Sequence, residues 1–231
     1  MTWEPNRLEQ ERLDKLAALE AAGVSAYPAR VQRTHTAAQA VAAREEAERA
    51  AASPDDVPAI EVTVAGRIRR LNVKGKVSFL HIEDQSGRIQ LFLRVNDMDE
   101  AVYQLVRDKL IETDDFVQAS GTLMRTQAGE ISVRVAQLAL LAKALSPLPV
   151  IKQEKLDDGT VVEHGEFTDT ETRYRQRYAD LAVNHDVRDV FIQRAQIIRT
   201  VRQVMDGEGL LEVETPILQP VYGGAAARPF I

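Results

Sequence analysis

The 231-residue chain has no cysteine, which excludes disulfides, a thiolate nucleophile and cysteine-bound metal. Histidine is scarce: His35, His81, His164 and His185 are the four present, and no two have the spacing of a helical metal pair, so no protein-bound zinc site is expected. No apolar run approaches the roughly 20 residues that span a bilayer. The first ten residues lack the apolar centre of a secretory signal, so no membrane partner is expected and the cytoplasm is the expected compartment. The phosphate-cradling patterns GxxxxGK and GxGxxG are missing, as is a serine nucleophile elbow. Net positive charge is missing too: the formal charge is −6. An RNA partner would therefore have to be met by a local patch rather than by a global field.

What is present is an ordinary globular balance of 45% hydrophobic and 28% charged residues. The charge is unevenly placed. Between Ile60 and Arg94 there are seven basic residues (Arg67, Arg69, Arg70, Lys74, Lys76, Arg88, Arg94) against three acidic ones (Glu61, Glu83, Asp84), a local excess of 7 − 3 = +4. A solvated strand face explains such a cluster as well as a nucleic-acid contact does. The adjacent acidic pairs Glu45-Glu46 and Asp157-Asp158 read as solvated charges.

The apolar pattern has a helical period from Asn6 to Ala22, where Leu8, Arg12, Lys15 and Leu19 share a stripe that Leu13 and Leu16 widen. A second helix is predicted from Thr36, as its cap, to Ala52, with Ser53-Pro54-Asp55-Asp56 closing it. From Ile60 the period becomes 2. Ile60–Ile68, Val77–Ile82 and Ile89–Leu93 read as three strands, divided by turns at Lys74-Gly75-Lys76 and Asp84-Gln85-Ser86-Gly87. Met98–Ile111 reads as a helix with Val102, Leu105, Val106 and Lys109 on one face. Phe116–Met124 and Ile131–Leu141 come next as two more strands around Thr126-Gln127-Ala128-Gly129. Three short strands, a helix and two further strands are the order of a five-stranded Greek-key OB barrel.

Ser146-Pro147-Leu148-Pro149 is a stiff linker, and Lys152–Glu166 is polar and loop-like. A helical section starts near Glu171. Its main element runs from Val187 to Glu208, with Phe191, Ala195, Ile198, Val201 and Met205 on one face and Gly207 and Gly209 ending it. Leu211–Glu214 alternates as a short strand that Pro216 stops. The chain closes on Phe230-Ile231 with its last element unfinished, which reads as a truncation.

An OB barrel offers its second and third strands to unpaired nucleic-acid bases, which need aromatic platforms and nearby cations. In the pleat, Phe79 and His81 share one face, while Ser78, Leu80 and Ile82 share the more apolar one. That turns Phe79 outward as a stacking candidate, although a core Phe79 fits the pattern nearly as well. Gln90 has the parity opposite to Ile89 and Leu91, so it should face outward beside Phe79, where an amide suits a base edge. Glu130, just after a glycine turn, is a second candidate reader, since a carboxylate accepts from a base N–H. Both are equally consistent with solvated surface residues.

Several segments resemble one family. RLDKLAALEAAGVSAYPAR (Arg12–Arg30) is similar to the N-terminal helix of class II lysyl-tRNA synthetases. VAGRIRRLNVKGKVSFLHIEDQSGRIQLFLR (Val64–Arg94) is similar to their anticodon-binding barrel, and LLAKALSPLP (Leu140–Pro149) to its exit. TETRYRQRYADL (Thr170–Leu181) is the most distinctive segment, separating the lysyl family from its aspartyl and asparaginyl relatives. GLLEVETPIL (Gly209–Leu218) resembles the end of class II motif 1, with Pro216 as its proline. GGAAARPF (Gly223–Phe230) resembles the family's next loop.

The resemblance implies an α+β chain in four parts: an N-terminal helical extension (1–59), an OB-fold anticodon-binding domain (60–145), a linker (146–170) and the start of a class II catalytic domain (171–231). It implies an ATP- and Mg2+-dependent lysine–tRNA ligase that forms a homodimer through motif 1 and reads the anticodon of tRNA(Lys). By position, Phe79 would stack on an anticodon base, Gln90, Glu130 and Arg70 would read or clamp its neighbours, and Arg67 would meet a phosphate. Gly223 and Gly224 would line the lysine pocket. Two departures stand out. LNVKGK (Leu71–Lys76) makes a longer turn than the family's. Motifs 2 and 3, which carry the ATP, magnesium and lysine ligands, do not occur, so no catalytic residue is assigned and the chain alone is expected to be inactive. A free-standing tRNA-binding module and an aspartyl or asparaginyl enzyme are the alternatives. The motif 1 helix argues against the first, and RYRQRYADL and GGAAARPF against the second.

Overall fold

A computed structural model describes residues 4–53, 56–149, 152–155, 161–164 and 169–216. The chain divides into two compact units, Met1–Pro147 and Leu148–Ile231.

The first unit opens with two capped helices. In α1 (Arg7–Ala21), the Asn6 side chain accepts from the backbone N–H of Leu8 and Glu9, while Glu9 reaches back to the Asn6 N–H. In α2 (Ala37–Ala50), Thr36 and Gln39 make the same reciprocal arrangement. Each box satisfies N–H groups that a helix start otherwise leaves orphaned.

Five strands then close a barrel: β1 (Glu61–Lys74), β2 (Val77–Asp84), β3 (Gly87–Arg94), β4 (Phe116–Arg125) and β5 (Ile131–Ala142). Their order is β1-β2-β3-β5-β4, with β1 closing on β4. Every contact is antiparallel except the short β3–β5 join. That is the predicted OB topology. The alternation along β1, β2 and β4 buries Val62, Val64, Ile68, Leu80, Ile82, Val117, Ala119 and Leu123, which meet Leu91, Leu93, Val133 and Val135 in one core. At Gly121, a Cβ would lie 2.0 Å from the Arg134 carbonyl oxygen, so β4 and β5 approach here only because no side chain stands between them.

The expected long turn between the first two strands narrows to Gly75-Lys76. Leu71, Asn72, Val73 and Lys74 stay paired with Leu80, Phe79, Ser78 and Val77, and the pairing shifts at a bulge between Ile68 and Arg70. The helix expected over Met98–Ile111 is shorter. After a 3-10 turn at Val95–Asp97, α3 covers only Glu100–Arg107. Lys109 is left-handed (φ 57°), and the N–H groups of Leu110 and Ile111 fold back onto the Leu105 carbonyl. Lys109 is therefore an exposed cap residue rather than part of the helix face.

Ion pairs fasten α1 to the barrel. Arg12, buried at mid-helix, donates to the carbonyls of Ala144 and Thr113, and Lys15 pairs with Glu112 at 2.7 Å. Lys143, fully covered, reaches Glu112 at 2.8 Å, Asp115 at 2.9 Å and the Leu110 carbonyl at 3.0 Å. Asp84 receives the Ala37 N–H from the first turn of α2, together with N–H and O–H groups of Ser86 and the Gly87 N–H.

In the second unit, Lys152–Lys155 and Val161–His164 form an antiparallel pair, β6 and β7, where a loop is expected from sequence. The ladder is a backbone property that a polar sequence does not announce. Helices α4 (Thr170–Arg175), α5 (Arg177–Val183) and α6 (His185–Gly207) complete the described part of this unit. Asp180 is buried and collects Arg173, Arg177 and Asn184, and Arg177 also lies over the Tyr174 ring. Leu211–Glu214 pairs with no strand among the described residues. On α6, Phe191, Ile198, Val201 and Met205 all stand exposed. No described helix is long and apolar enough to cross a membrane.

Candidate nucleic-acid interface

The outward face of β2 and β3 assembles the candidate residues through register alone. Phe79 lies opposite Phe92, and His81 opposite Gln90. On the other side of β2, Arg70 lies opposite His81 and Asn72 opposite Phe79. Register partners send their side chains to the same face, so Phe79, His81, Gln90, Phe92 and Arg70 share the exterior of the barrel. Ser78, Leu80 and Ile82 point into the core, as the sequence parity predicted.

Phe79 is half-buried, its ring meeting Phe92 edge-on with centroids 5.5 Å apart. This pair fixes one edge of the Phe79 ring. Sequence reasoning overlooked Phe92, although its parity with Gln90 was available to find it.

Beside the rings lies a polar network. The Glu130 carboxylate accepts from Nε2 of His81 (2.9 Å) and from the amide of Gln90 (2.6 Å). Ser132 donates to the Gln90 amide oxygen (2.8 Å). His81 with its proton on Nε2 leaves Nδ1, which is buried without a partner, as a bare acceptor rather than an orphaned donor. Gln90 corrects one expectation: it is on the predicted face but 7% exposed, covered by its contacts to Glu130 and Ser132. Its burial comes from the β3–β5 join, which puts Ser132 opposite it. Glu130 remains half-exposed and presents the network to solvent. A shallow depression of about 270 Å3 opens here, bordered by His81, Gln90, Glu130, Arg88, Arg125 and Glu45.

The turn that carries Glu130 is tethered from outside the barrel. Arg125 donates to the Gly129 carbonyl at 2.6 Å, and the same guanidinium binds the Glu48 carboxylate of α2. Glu48 is held in turn by Arg44, which also donates to the Leu123 carbonyl.

The cations divide. Arg70 is exposed and lies just past the bulge, with its side chain over the outer face. Arg67 does not join the group. Its guanidinium lies over the Phe116 ring at 4.3 Å and donates to the Asp114 carbonyl. Burial pulls its pKa down against the attraction of Asp114. Arg67 is thus half-buried and engaged by Phe116 and Asp114, unlike the exposed Arg70. Lys74, Lys76 and Arg94 are exposed at one end of β1–β3. Pro216 is exposed beyond α6, and Gly223 and Gly224 lie outside the described residues.

Comparison with known proteins matches the same two parts. Residues 62–141 match the model of the OB-fold nucleic acid binding domain, and residues 169–231 match that of the class II tRNA synthetases (D, K and N). The barrel is thus similar to a nucleic-acid-binding OB domain, and the C-terminal segment to the class II tRNA synthetases. Lysine–tRNA ligases from Roseiflexus castenholzii, Roseiflexus sp. (strain RS-1) and Dehalococcoides mccartyi (strain 195) are 51%, 50% and 44% identical over 231, 232 and 224 residues. Those alignments take in 99%, 99% and 97% of this chain. Over nearly its whole length the chain is thus similar to lysine–tRNA ligases. It spans about 42% of the length of these relatives.

Proposed function

We propose that this chain supplies the anticodon-reading part of a lysine–tRNA ligase, which activates lysine with ATP and transfers it to tRNA(Lys). The observation that carries the reading is the outer face of β2 and β3, where the Phe79 ring stands beside the Gln90–Glu130–His81 network. A flat ring binds the face of any unpaired base, and the network supplies the discrimination. The half-exposed Glu130 carboxylate accepts from a base N–H, while Gln90 and His81 hold it in place. Arg70 clamps a neighbouring phosphate.

Acyl transfer lies elsewhere in the ligase. Among the described residues no group of three or more His, Asp or Glu is placed to hold a metal ion. In this reading Mg2+, ATP and most of the lysine pocket belong to the part of the enzyme beyond the span of this chain, with Gly223 and Gly224 contributing backbone to the pocket. The exposed apolar face of α6, together with Pro216, packs against a second copy, giving a homodimer. The compartment is the cytoplasm, where charged tRNA is consumed.

The test is binding of the chain to a stem-loop with a UUU anticodon at one fixed salt concentration. Phe79→Ala is expected to weaken binding by about 1–3 kcal/mol. Unchanged affinity in a folded variant, or indifference of the parent chain to all three anticodon bases, would sink the proposal.

A further inference from the structure

The register row that carries Phe79 continues across the barrel. Phe79 faces Phe92 on β3, and Phe92 faces Arg134 on β5. The three side chains therefore leave the same surface in one line across three strands. Arg134 is held there as a fork: its Nε and Nη2 donate to the two carboxylate oxygens of Asp97, both at 2.8 Å. Asp97 sits in the turn leaving β3 and is largely covered, whereas half of the Arg134 side chain is open to solvent. The hydrogen bond from Arg134 keeps the Asp97 carboxyl below its usual range, so the pair stays charged.

An isolated surface ion pair contributes little to folding. A guanidinium pinned along one edge and open elsewhere is a rigid plane, and such planes stack unpaired bases. We propose that Arg134, with the exposed part of Phe92, forms a second base-stacking subsite, for the nucleotide adjacent to the one stacked on Phe79. The ligand is single-stranded RNA, and the inference rests on the anticodon reading above. Two strand spacings, about 10 Å, separate Phe79 from Arg134. That distance seats a second base beside the first, not on top of it. The subsite also gives Asp97 a purpose: it orients the fork and prevents Arg134 from closing on the nearest phosphate.

The experiment measures binding of the whole chain to a UUU stem-loop and to three versions with one anticodon base removed to leave an abasic sugar. Arg134→Lys keeps the charge and loses the plane. Binding of the intact loop is expected to fall roughly fivefold to a hundredfold. Removal of one particular base should then cost nothing further, and that base should neighbour the one to which Phe79→Ala becomes indifferent. Asp97→Asn, which frees the fork but keeps the cation, is expected to weaken binding in the same base-dependent way. The inference is overturned if Arg134→Lys binds like the parent. It is equally overturned if Arg134→Ala weakens all four RNAs alike and lowers the salt slope by about one, the behaviour of a phosphate contact. In both cases a base-selective effect of Phe79→Ala leaves the anticodon reading standing. Failure of the parent chain to bind any of the RNAs removes both. Circular dichroism of each variant separates lost binding from lost folding.

Discussion

Lys143 is a side chain that the barrel cannot easily lose. Its ammonium is fully covered, 2.9 Å from Asp115, itself fully covered, and 2.8 Å from Glu112. Taking Lys143 to Met keeps the apolar stem and removes the cation. Asp115 then retains only the N–H groups of Glu112 and Ala144 as partners, at 2.8 and 2.9 Å. Burial already pushes the Asp115 carboxyl up even with Lys143 beside it. An uncompensated buried charge costs about 3–5 kcal/mol, a drop of about 10 °C in melting temperature for a unit of this size.

The pH dependence carries the sign. Without the cation, the folded pKa of Asp115 stands well above its unfolded value of about 4. The folded variant then binds more protons than the unfolded chain, so its stability falls as pH rises from about 4 through the folded pKa. The deficit against the parent should be largest at pH 7 and smaller near pH 4.5. Adding Asp115→Asn, which keeps an oxygen for the two N–H groups, should recover part of the loss. Urea unfolding followed by far-ultraviolet circular dichroism at both pH values measures this. A deficit under about 1 kcal/mol, or one independent of pH, would refute the account of Lys143 as the counter-charge of a buried carboxylate.

Asp84 behaves in the opposite direction. Burial raises its pKa, but the Ser86 hydroxyl and the N–H groups of Ala37, Ser86 and Gly87 outweigh that and hold it low. Its contribution is present above about pH 4 and lost as pH falls through the depressed value, so Asp84→Asn should flatten the acid limb of an unfolding curve. Gly121→Ala drives a Cβ into the Arg134 carbonyl and should cost about 1–3 kcal/mol or more, read as a lower urea midpoint. Val201→Glu puts a charge on the apolar face of α6, and if that face makes the proposed subunit contact, light scattering should find the variant monomeric where the parent is expected to be a dimer. A dimer that persists would place the subunit contact elsewhere.

The barrel was legible because the apolar pattern along most of its strands alternates with a period of 2 and its turns carry Gly, Asp or Ser at the reversals. The same parity turned Phe79 outward correctly. Where the reading failed, the deciding contacts were distant in sequence. Gln90 is covered by Ser132 and Glu130, which only the β3–β5 join brings near. Arg67 is claimed by Phe116 and Asp114, far along the chain. The bulge before Arg70 has no glycine to mark it, and α3 stops at a lysine that takes the backbone geometry usual for glycine. The β6–β7 ladder is polar enough to pass for a loop. The cap of α2, by contrast, was read correctly at Thr36, because its partner lies within one turn of helix, whereas the cap role of Asn6 and the reciprocal Glu9 and Gln39 went unread.

The tether from Glu48 through Arg125 to the Gly129 carbonyl means that the position of Glu130 is set partly by a helix that does not belong to the barrel. A substitution on α2, several bonds removed from the barrel's outer face, can tilt the turn and with it the Glu130 carboxylate proposed to meet a base. Selection on such a protein has two separate handles: the residues that touch the nucleotide, which decide whether a base is accepted, and the outer struts, which decide how closely the acceptor is aimed. Drift in the second can retune preference while the recognition residues stay unchanged.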